Sequence, residues 1–554
     1  MNYFQPMKRA FLYLIIGLTI SCDFKSSEAD LILHNGFIYT LNEANDIHKA
    51  VAVKDGVIID VGPEHHILNK YRSKDKIDLQ GKPLYPGFTD SHCHFLGLGE
   101  SILWADLVKT ASFDEVLEKL DNYKSRFSHH WVLGHGWDQN DWVDQEFPNN
   151  EKLNILFPDQ PVYLVRIDGH AAIVNDYALE LAGITCYTEV EGGEIRKENL
   201  ACTGVLVDNA MDIVSALVPE LNREDKELAF KLAENKCSQS GLTSLHDAGM
   251  SYKDILFIDS LHNSSDLKIN VYAMFSDSEE NYEYVANNTP PSSDRLTANS
   301  FKFYADGALG SYGACLIKPY SDSKDRQGFL LKDPSYFISK AKFLYENGFQ
   351  MNTHCIGDSA NRVILDIYSS VLKGTNDLRW RIEHCQVVNE KDIEIFRQYN
   401  IIPSVQPLHA TSDYPWFLER LGKNRAKSAY SYKELLNQTG MIALGTDFPV
   451  ESFKPLNTFY AAVFRKNLQG KPVTGIQPEN ALSRMEALKG MTEWAALSSF
   501  EENTKGRIIP GLNADFVILD RDIIKADEKY IPDAKVVYTY IRGEQVYKNP
   551  EIRN

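Results

Sequence analysis

The sequence predicts an α/β protein: a (β/α)8 TIM-like barrel with a small β-sandwich domain formed from both chain ends. Three observations predict it. Helix-length segments such as 113–127 and 223–241 alternate with short apolar runs that end in polar residues, the pattern of βα units and a parallel sheet. Eight runs read as strands, the number that closes a barrel: LYPGFTDSH, WVLGHG, LTSLHDAG, SFKFYADG, FQMNTHC, LRWRIEHC, IIPSVQP and MIALGTD. The two ends share a β-rich style that the middle lacks. DLILHNGFIYTL and KAVAVKDGVIIDVG carry Asn-Gly and Asp-Gly turn signals, and ADFVILD and KVVYTYIRGEQVYKN return to short alternating runs. A doubly wound open sheet would read similarly over the middle.

In chain order, residues 1–21 have the layout of an export signal. Lys8-Arg9 precede an apolar run from Ala10 to Ile20 that is too short to span a bilayer, and Ser21-Cys22 and a polar stretch follow. The segment resembles a bacterial lipoprotein signal, with Cys22 lipidated; plain cleavage is the alternative. The expectation is an exported bacterial protein, periplasmic or anchored to the membrane through Cys22. Residues 22–29 form a linker. Residues 30–86 with 506–550 make the composite β-sandwich domain, and 87–505 the barrel. An insertion at about 145–215, containing PVYLVRIDGHAAIVND and GGEIRKENLACTG, departs from the βα alternation.

Composition removes several classes. The chain has 554 residues, 44% hydrophobic and 24% charged, with Gly 33 and Pro 22, so it is neither low-complexity nor a small disulfide scaffold. A net charge of −18 with no basic tract is the wrong footprint for a phosphate backbone, so no nucleic acid partner is expected. A small-molecule substrate is expected, with a homodimer left open. Of the 8 Cys, seven follow Cys22, an odd and scattered set that does not suggest a disulfide framework. Cys93, Cys355 and Cys385 each follow a His directly. The two-residue period of a strand turns each thiol to the face opposite its His, where it packs under a helix.

Metal-capable residues gather at the ends of the candidate strands: His92 and His94, His246 with Asp247, Lys302, His354, His384 and Asp447. Barrel enzymes place their chemistry at the C-terminal strand ends, where side chains from different strands converge. A His-x-His pair at a strand end sets both imidazoles on one face, able to share a cation. Each residue also has a plainer reading: Lys302 as a salt-bridged rim residue, Asp447 as a helix N-cap, His246-Asp247 as structural, His65-His66 and His129-His130 as surface pairs.

The run Pro86-Gly87-Phe88-Thr89-Asp90-Ser91-His92-Cys93-His94, with Lys302, His354, His384 and Asp447, resembles the amidohydrolase superfamily of metal-dependent hydrolases. Gly134-His135-Gly136-Trp137-Asp138, Asp168-Gly169-His170 with Asn175, Phe301-Lys302-Phe303-Tyr304-Ala305-Asp306-Gly307 with Gly310-Ser311, Asn352-Thr353-His354-Cys355-Ile356-Gly357-Asp358 and Gly445-Thr446-Asp447-Phe448-Pro449-Val450 are similar to the amidohydrolase-3 branch, which includes N-substituted formamide deformylases. The resemblance implies one or two Zn ions. His92 and His94 would hold the more buried, His354 and His384 the more exposed, and a carboxylated Lys302 would bridge them. It implies that Asp447 touches metal, takes a proton from water and passes it to the leaving group. A Lys facing two cations favours its neutral amine, which can take up CO2 and become an anionic ligand. Trp137, Asp138, His170, Asp306, Tyr312 and His409 are the expected substrate-binding residues. Trp137 as loop packing, His170 as a core His and His409 as a surface residue are the plainer alternatives.

The expected function is metal-dependent hydrolysis of a non-peptide C–N bond in an amide, an N-substituted formamide or a cyclic amide. Three competitors remain. A deaminase of the same superfamily would usually carry a Glu soon after the fifth-strand His, where His354-Cys355-Ile356-Gly357-Asp358 has none. A barrel glycosidase would pair Glu383 with Asp306 or Asp247. A non-catalytic, metal-holding surface lipoprotein would tolerate loss of the Asp447 carboxylate.

Overall fold

The computed structural model describes residues 27–124, 131–199 and 201–551. The expected signal peptide, Cys22 and the His129-His130 pair lie outside these residues. Among the described residues, no helix is long and apolar enough to cross a membrane.

Eight parallel strands follow one another in chain order: β1 (Phe88–Cys93), β2 (Leu242–Met250), β3 (Asn270–Ser276), β4 (Leu296–Tyr304), β5 (Gln350–Cys355), β6 (Arg381–His384), β7 (Ile402–Val405) and β8 (Ala443–Leu444). The sheet curls until its two ends meet. Just past β8, the Asp447 amide donates to the His92 carbonyl of β1 at 2.8 Å. Thr446 donates from its amide (2.9 Å) and hydroxyl (2.6 Å) to the Asp90 carboxylate. Every residue of β1 and of β5 is buried, because the barrel interior takes one face and helices take the other. Cys93, Cys355 and Cys385 are buried free thiols in the main core, which also holds Phe230 and Ile364 from the surrounding helices.

Seven of the eight expected strands are barrel strands. WVLGHG is not: Val132–Trp137 belongs to a separate six-stranded sheet, and the barrel's eighth member is β3, with the sequence NVYAMFS. Both segments are apolar runs buried in parallel pairing, so residue type does not say which sheet takes them. The six-stranded sheet runs Ala105–Asp106, Val132–Trp137, Val162–Arg166, Ala171–Val174, Ala201–Asp208, Gly193–Glu198 in spatial order. The inserted unit therefore starts near 105 rather than 145, since its first strands continue the βα rhythm of the barrel. It also holds a disulfide, Cys186–Cys202, which the odd cysteine count did not suggest.

Both ends of the chain build the remaining β structure. A four-stranded sheet (Val57–Gly62, Ala50–Lys54, Leu31–His34, Asp75–Asp78) faces a six-stranded one. In the latter, Phe516–Leu519 pairs antiparallel with Pro83–Pro86. Leu31, Val51 and Ile58 from the first sheet pack with Ile38, Leu84, Phe516 and Val537 from the second, the apolar layer of a sandwich.

Candidate metal centre

The C-terminal ends of β1, β4, β5, β6 and the turn after β8 converge. His92 is fully buried, and its Nδ1 donates to Glu383 Oε2 at 2.5 Å. Glu383, on β6, is held in turn by Arg381, whose Nε lies 2.7 Å from Oε1. Arg381 Nη2 also reaches the Ser91 carbonyl (2.5 Å) and the Ser404 hydroxyl (2.9 Å). Burial pushes the Glu383 carboxyl up, but the Arg381 guanidinium and His92 overcome it and hold it down at about 2. A carboxylate fixed in this way sets the tautomer of His92 and leaves Nε2 to face the centre.

Around that nitrogen stand Lys302 Nζ at 3.4 Å and Asp447 Oδ1 at 3.4 Å. His94 Nε2 lies 3.2 Å from Asp447 Oδ1, and His384 Nδ1 lies 4.0 Å from Asp447 Oδ2. The His354 ring stands 4.5 Å from that of His384, centroid to centroid. One ligand atom from each of His92, His384 and Asp447 falls within a 4.8 Å span. Burial depresses the His92 imidazole to about 4, with Lys302 adding to the effect, and lowers His354 and His384 well below the usual range. These rings are neutral, the form that ligates. Burial would raise Asp447, but the surrounding imidazoles keep it an anion.

The donors fit a divalent cation. His354 Nε2, His384 Nδ1 and Asp447 Oδ1 are buried and make no hydrogen bond among the described residues. A buried polar atom left unbonded costs about 1–3 kcal/mol, which a bound cation would relieve. Imidazole nitrogens with a carboxylate oxygen are the donor set of zinc-like sites. The backbone carries the strain of this arrangement. His384 (φ 72°) and Asp447 (φ 63°) both occupy the left-handed region, at an expense of order 1–3 kcal/mol each. At His384 this has a definite use: strand alternation turns Arg381 and Glu383 inward and would turn His384 away, and the left-handed φ re-aims it.

The expected substrate residues divide. His409 joins the centre, with Nε2 3.3 Å from Asp447 Oδ2 and Nδ1 3.4 Å from Glu451. Burial disfavours its charged form, but the two carboxylates prevail and raise it to about 10. His170 stands beside His354, ring centroids 5.1 Å apart. Tyr312 is half-buried under the Arg420 guanidinium, 4.1 Å from its ring. Asp138 receives the Arg166 guanidinium at 2.5 Å. Two residues have other employment. Trp137 is fully buried in the core of the insert, 6.0 Å from Trp142, with Nε1 donating to the Leu164 carbonyl at 2.8 Å. Asp306 accepts from the amides of Cys315 (2.8 Å), Ile356 (2.9 Å) and Gly357 (2.8 Å), and organises the loop after β5.

The glycosidase pairing fails on the same grounds. Glu383 is spent on Arg381 and His92, Asp306 on three amides, and Asp247 on the Phe95 amide at 2.7 Å. His246 is fully buried with Nδ1 3.3 Å from Arg381, a supporting position. Glu383, Arg381 and Glu451 were not singled out as site supports in the sequence, where only the Glu next to His384 offered a signal.

A parallel barrel whose strand ends gather neutral imidazoles and one carboxylate around a point defines a metal-dependent hydrolase. The chain belongs to the amidohydrolase family, whose model matches residues 75–547, and within it to the amidohydrolase-3 branch. It is 32% identical over 530 residues to YtcJ of Bacillus subtilis (strain 168), covering 93% of this chain and 99% of that protein. It is 24% identical over 538 residues to the N-substituted formamide deformylase of Arthrobacter pascens, covering 94% and 98%. Among solved structures, an uncharacterized metal-dependent hydrolase from Pyrococcus horikoshii OT3 superposes with a TM-score of 0.74 at 28% identity, over 90% of this chain and 98% of that one. The protein is thus a metal-dependent amidohydrolase, a hydrolase of non-peptide C–N bonds with a small-molecule substrate.

Proposed function

We propose that the protein hydrolyses an amide, an N-substituted formamide or a cyclic amide at a binuclear zinc centre held by His92, His94, His354 and His384 and bridged by a carboxylated Lys302. Three buried donor atoms without hydrogen bonds carry the reading. The similarity to a formamide deformylase along almost the whole chain supports the substrate class. When bound, divalent cations supply Lewis acidity that polarises a carbonyl and acidifies water.

The chain's own residues do the rest. Asp447, kept anionic by the imidazoles around it, takes the proton released as water adds to the carbonyl carbon. It returns that proton to the nitrogen as the C–N bond breaks, giving a carboxylic acid and an amine. Lys302 is buried on β4 with Nζ 3.4 Å from His92 Nε2, which supports a place for it in the centre. Glu383 and Arg381 hold His92 in register throughout.

Metal analysis of the purified protein, 13C NMR after equilibration with labelled bicarbonate, and turnover of a panel of N-formyl, N-acyl and cyclic amides test the proposal. Two metals per chain, a carbamate resonance that Lys302→Ala removes, and release of amine are expected. A single metal with no carbamate resonance would refute the bridged centre. Release of ammonia from an amino-substituted heterocycle, with no amide cleaved, would favour the deaminase instead.

A further inference from the structure

Two residues of the insert meet beside the barrel's centre. His170 immediately precedes the strand Ala171–Val174, and Asp208 ends Ala201–Asp208, its antiparallel neighbour. The register pairs Ala171 with Val207, which brings His170 opposite Asp208. His170 Nδ1 lies 2.6 Å from Asp208 Oδ1, and the Asp208 amide donates to the His170 carbonyl at 3.1 Å.

The carboxylate sits in a made-to-measure seat. Asp208 has a φ of 49°, in the left-handed region. A residue stays there only when its surroundings over-determine it. The barrel loop after β4 closes over it without side chains: a Cβ at Gly307 would lie 2.4 Å from Asp208 Oδ2, and one at Gly313 would lie 2.6 Å away. Glycine at both places is what lets insert and barrel close around one buried carboxylate. On the other side, the His170 ring stands 5.1 Å from His354 and 6.4 Å from Tyr304, whose residue is 38% exposed at the end of β4. His170 Nε2 makes no hydrogen bond among the described residues. A pair that served only to fasten the insert would not need to set its ring beside a metal-ligating histidine.

We propose that the insert supplies a substrate-contacting residue to the barrel: His170 hydrogen-bonds the amide group of bound substrate through Nε2, and Asp208 is the positioning residue that fixes the ring. The inference rests on the amide-hydrolase reading above. It makes the insert part of the substrate site, and it requires a substrate with a polar amide atom on the insert side of the cleaved bond.

The test uses the metal-loaded full chain and four variants, His170→Ala, Asp208→Asn, Asp208→Ala and His170→Ala/Asp208→Ala. Acetohydroxamate binding is measured by calorimetry, and kcat and KM on the best amide of the panel; metal content is read on each protein. His170→Ala is expected to weaken acetohydroxamate about 10-fold and to lower kcat/KM about 100-fold with metal content unchanged, within the range of a positioned hydrogen-bonding or proton-transfer group. Asp208→Asn keeps the shape and the fold, and should lose less, in the same direction. The double variant should be no worse than His170→Ala, because Asp208 acts through His170. Wild-type behaviour of Asp208→Asn, additive losses in the double variant, or loss of metal from His170→Ala would each overturn the proposal. Wild-type protein with neither metal nor acetohydroxamate binding would overturn the hydrolase reading and this inference with it. Equal binding by wild type and His170→Ala overturns this inference alone.

Discussion

His92 and His170 are both imidazoles held through Nδ1 by a buried carboxylate, yet the two supports are built differently. Under His92, Glu383 is neutralised by Arg381 and tied through it to Ser91 and Ser404, all on barrel strands. Under His170, Asp208 has no Lys or Arg in ion-pair distance among the described residues, its Oδ2 is unbonded, and it lies at the seam between insert and barrel loop. A ligand to a metal must hold its place to within about 0.5 Å, and a charge-balanced network on a closed barrel achieves that. A ring that answers to substrate is served by a lighter hold on a unit outside the barrel. The loads on the two histidines differ in kind, and substitutions can separate them.

The largest expected effect breaks the chemistry and spares both supports. Asp447→Asn should lower kcat about 1000-fold, within the range of a general base, with metal content intact; a non-catalytic metal-holding protein would keep its biological role in that variant. Removing the metals comes next. Dialysis against a chelator should lower unfolding stability by about 2.7 kcal/mol relative to protein at a metal concentration 100 times Kd, and zinc should restore it. Glu383→Gln then separates the two histidines. Competition with a chelator dye should show metal affinity down about 10- to 100-fold, whereas Asp208→Asn should leave it unchanged; equal losses in both would erase the distinction drawn above. The smallest effect concerns Trp137. Trp137→Phe removes the Nε1 bond to Leu164 and should cost about 1 kcal/mol in denaturant unfolding, with KM for substrate unaltered. A raised KM would return Trp137 to the substrate site.

The gathering of His92, His94, Lys302, His354, His384 and Asp447 was legible because they lie at or near the ends of candidate strands, where a barrel concentrates its chemistry. The supports were less so. Glu383 precedes His384 directly, and alternation sends neighbours to opposite faces, so only the left-handed φ at His384 lets both reach the centre. Asp208 lies 38 residues from His170, and nothing local joins them until the antiparallel register is known. β3 carries no polar signature at its end other than Ser276 and went unnoticed, while WVLGHG, with its Gly-His-Gly, looked more like a ligand strand than it is. Periodicity reports that a strand is buried on both faces, and not which sheet buries it.

The sandwich formed from both chain ends sets an order on synthesis. Pro83–Pro86 gains its antiparallel neighbour only when Phe516–Leu519 has been made, more than four hundred residues later. Until then the first strands present an open edge, the kind of surface that recruits other chains. No amino-terminal fragment can finish this sheet, so a message truncated between the codons for Asp447 and Phe516 would yield a protein with every barrel strand made and an unsealed flank.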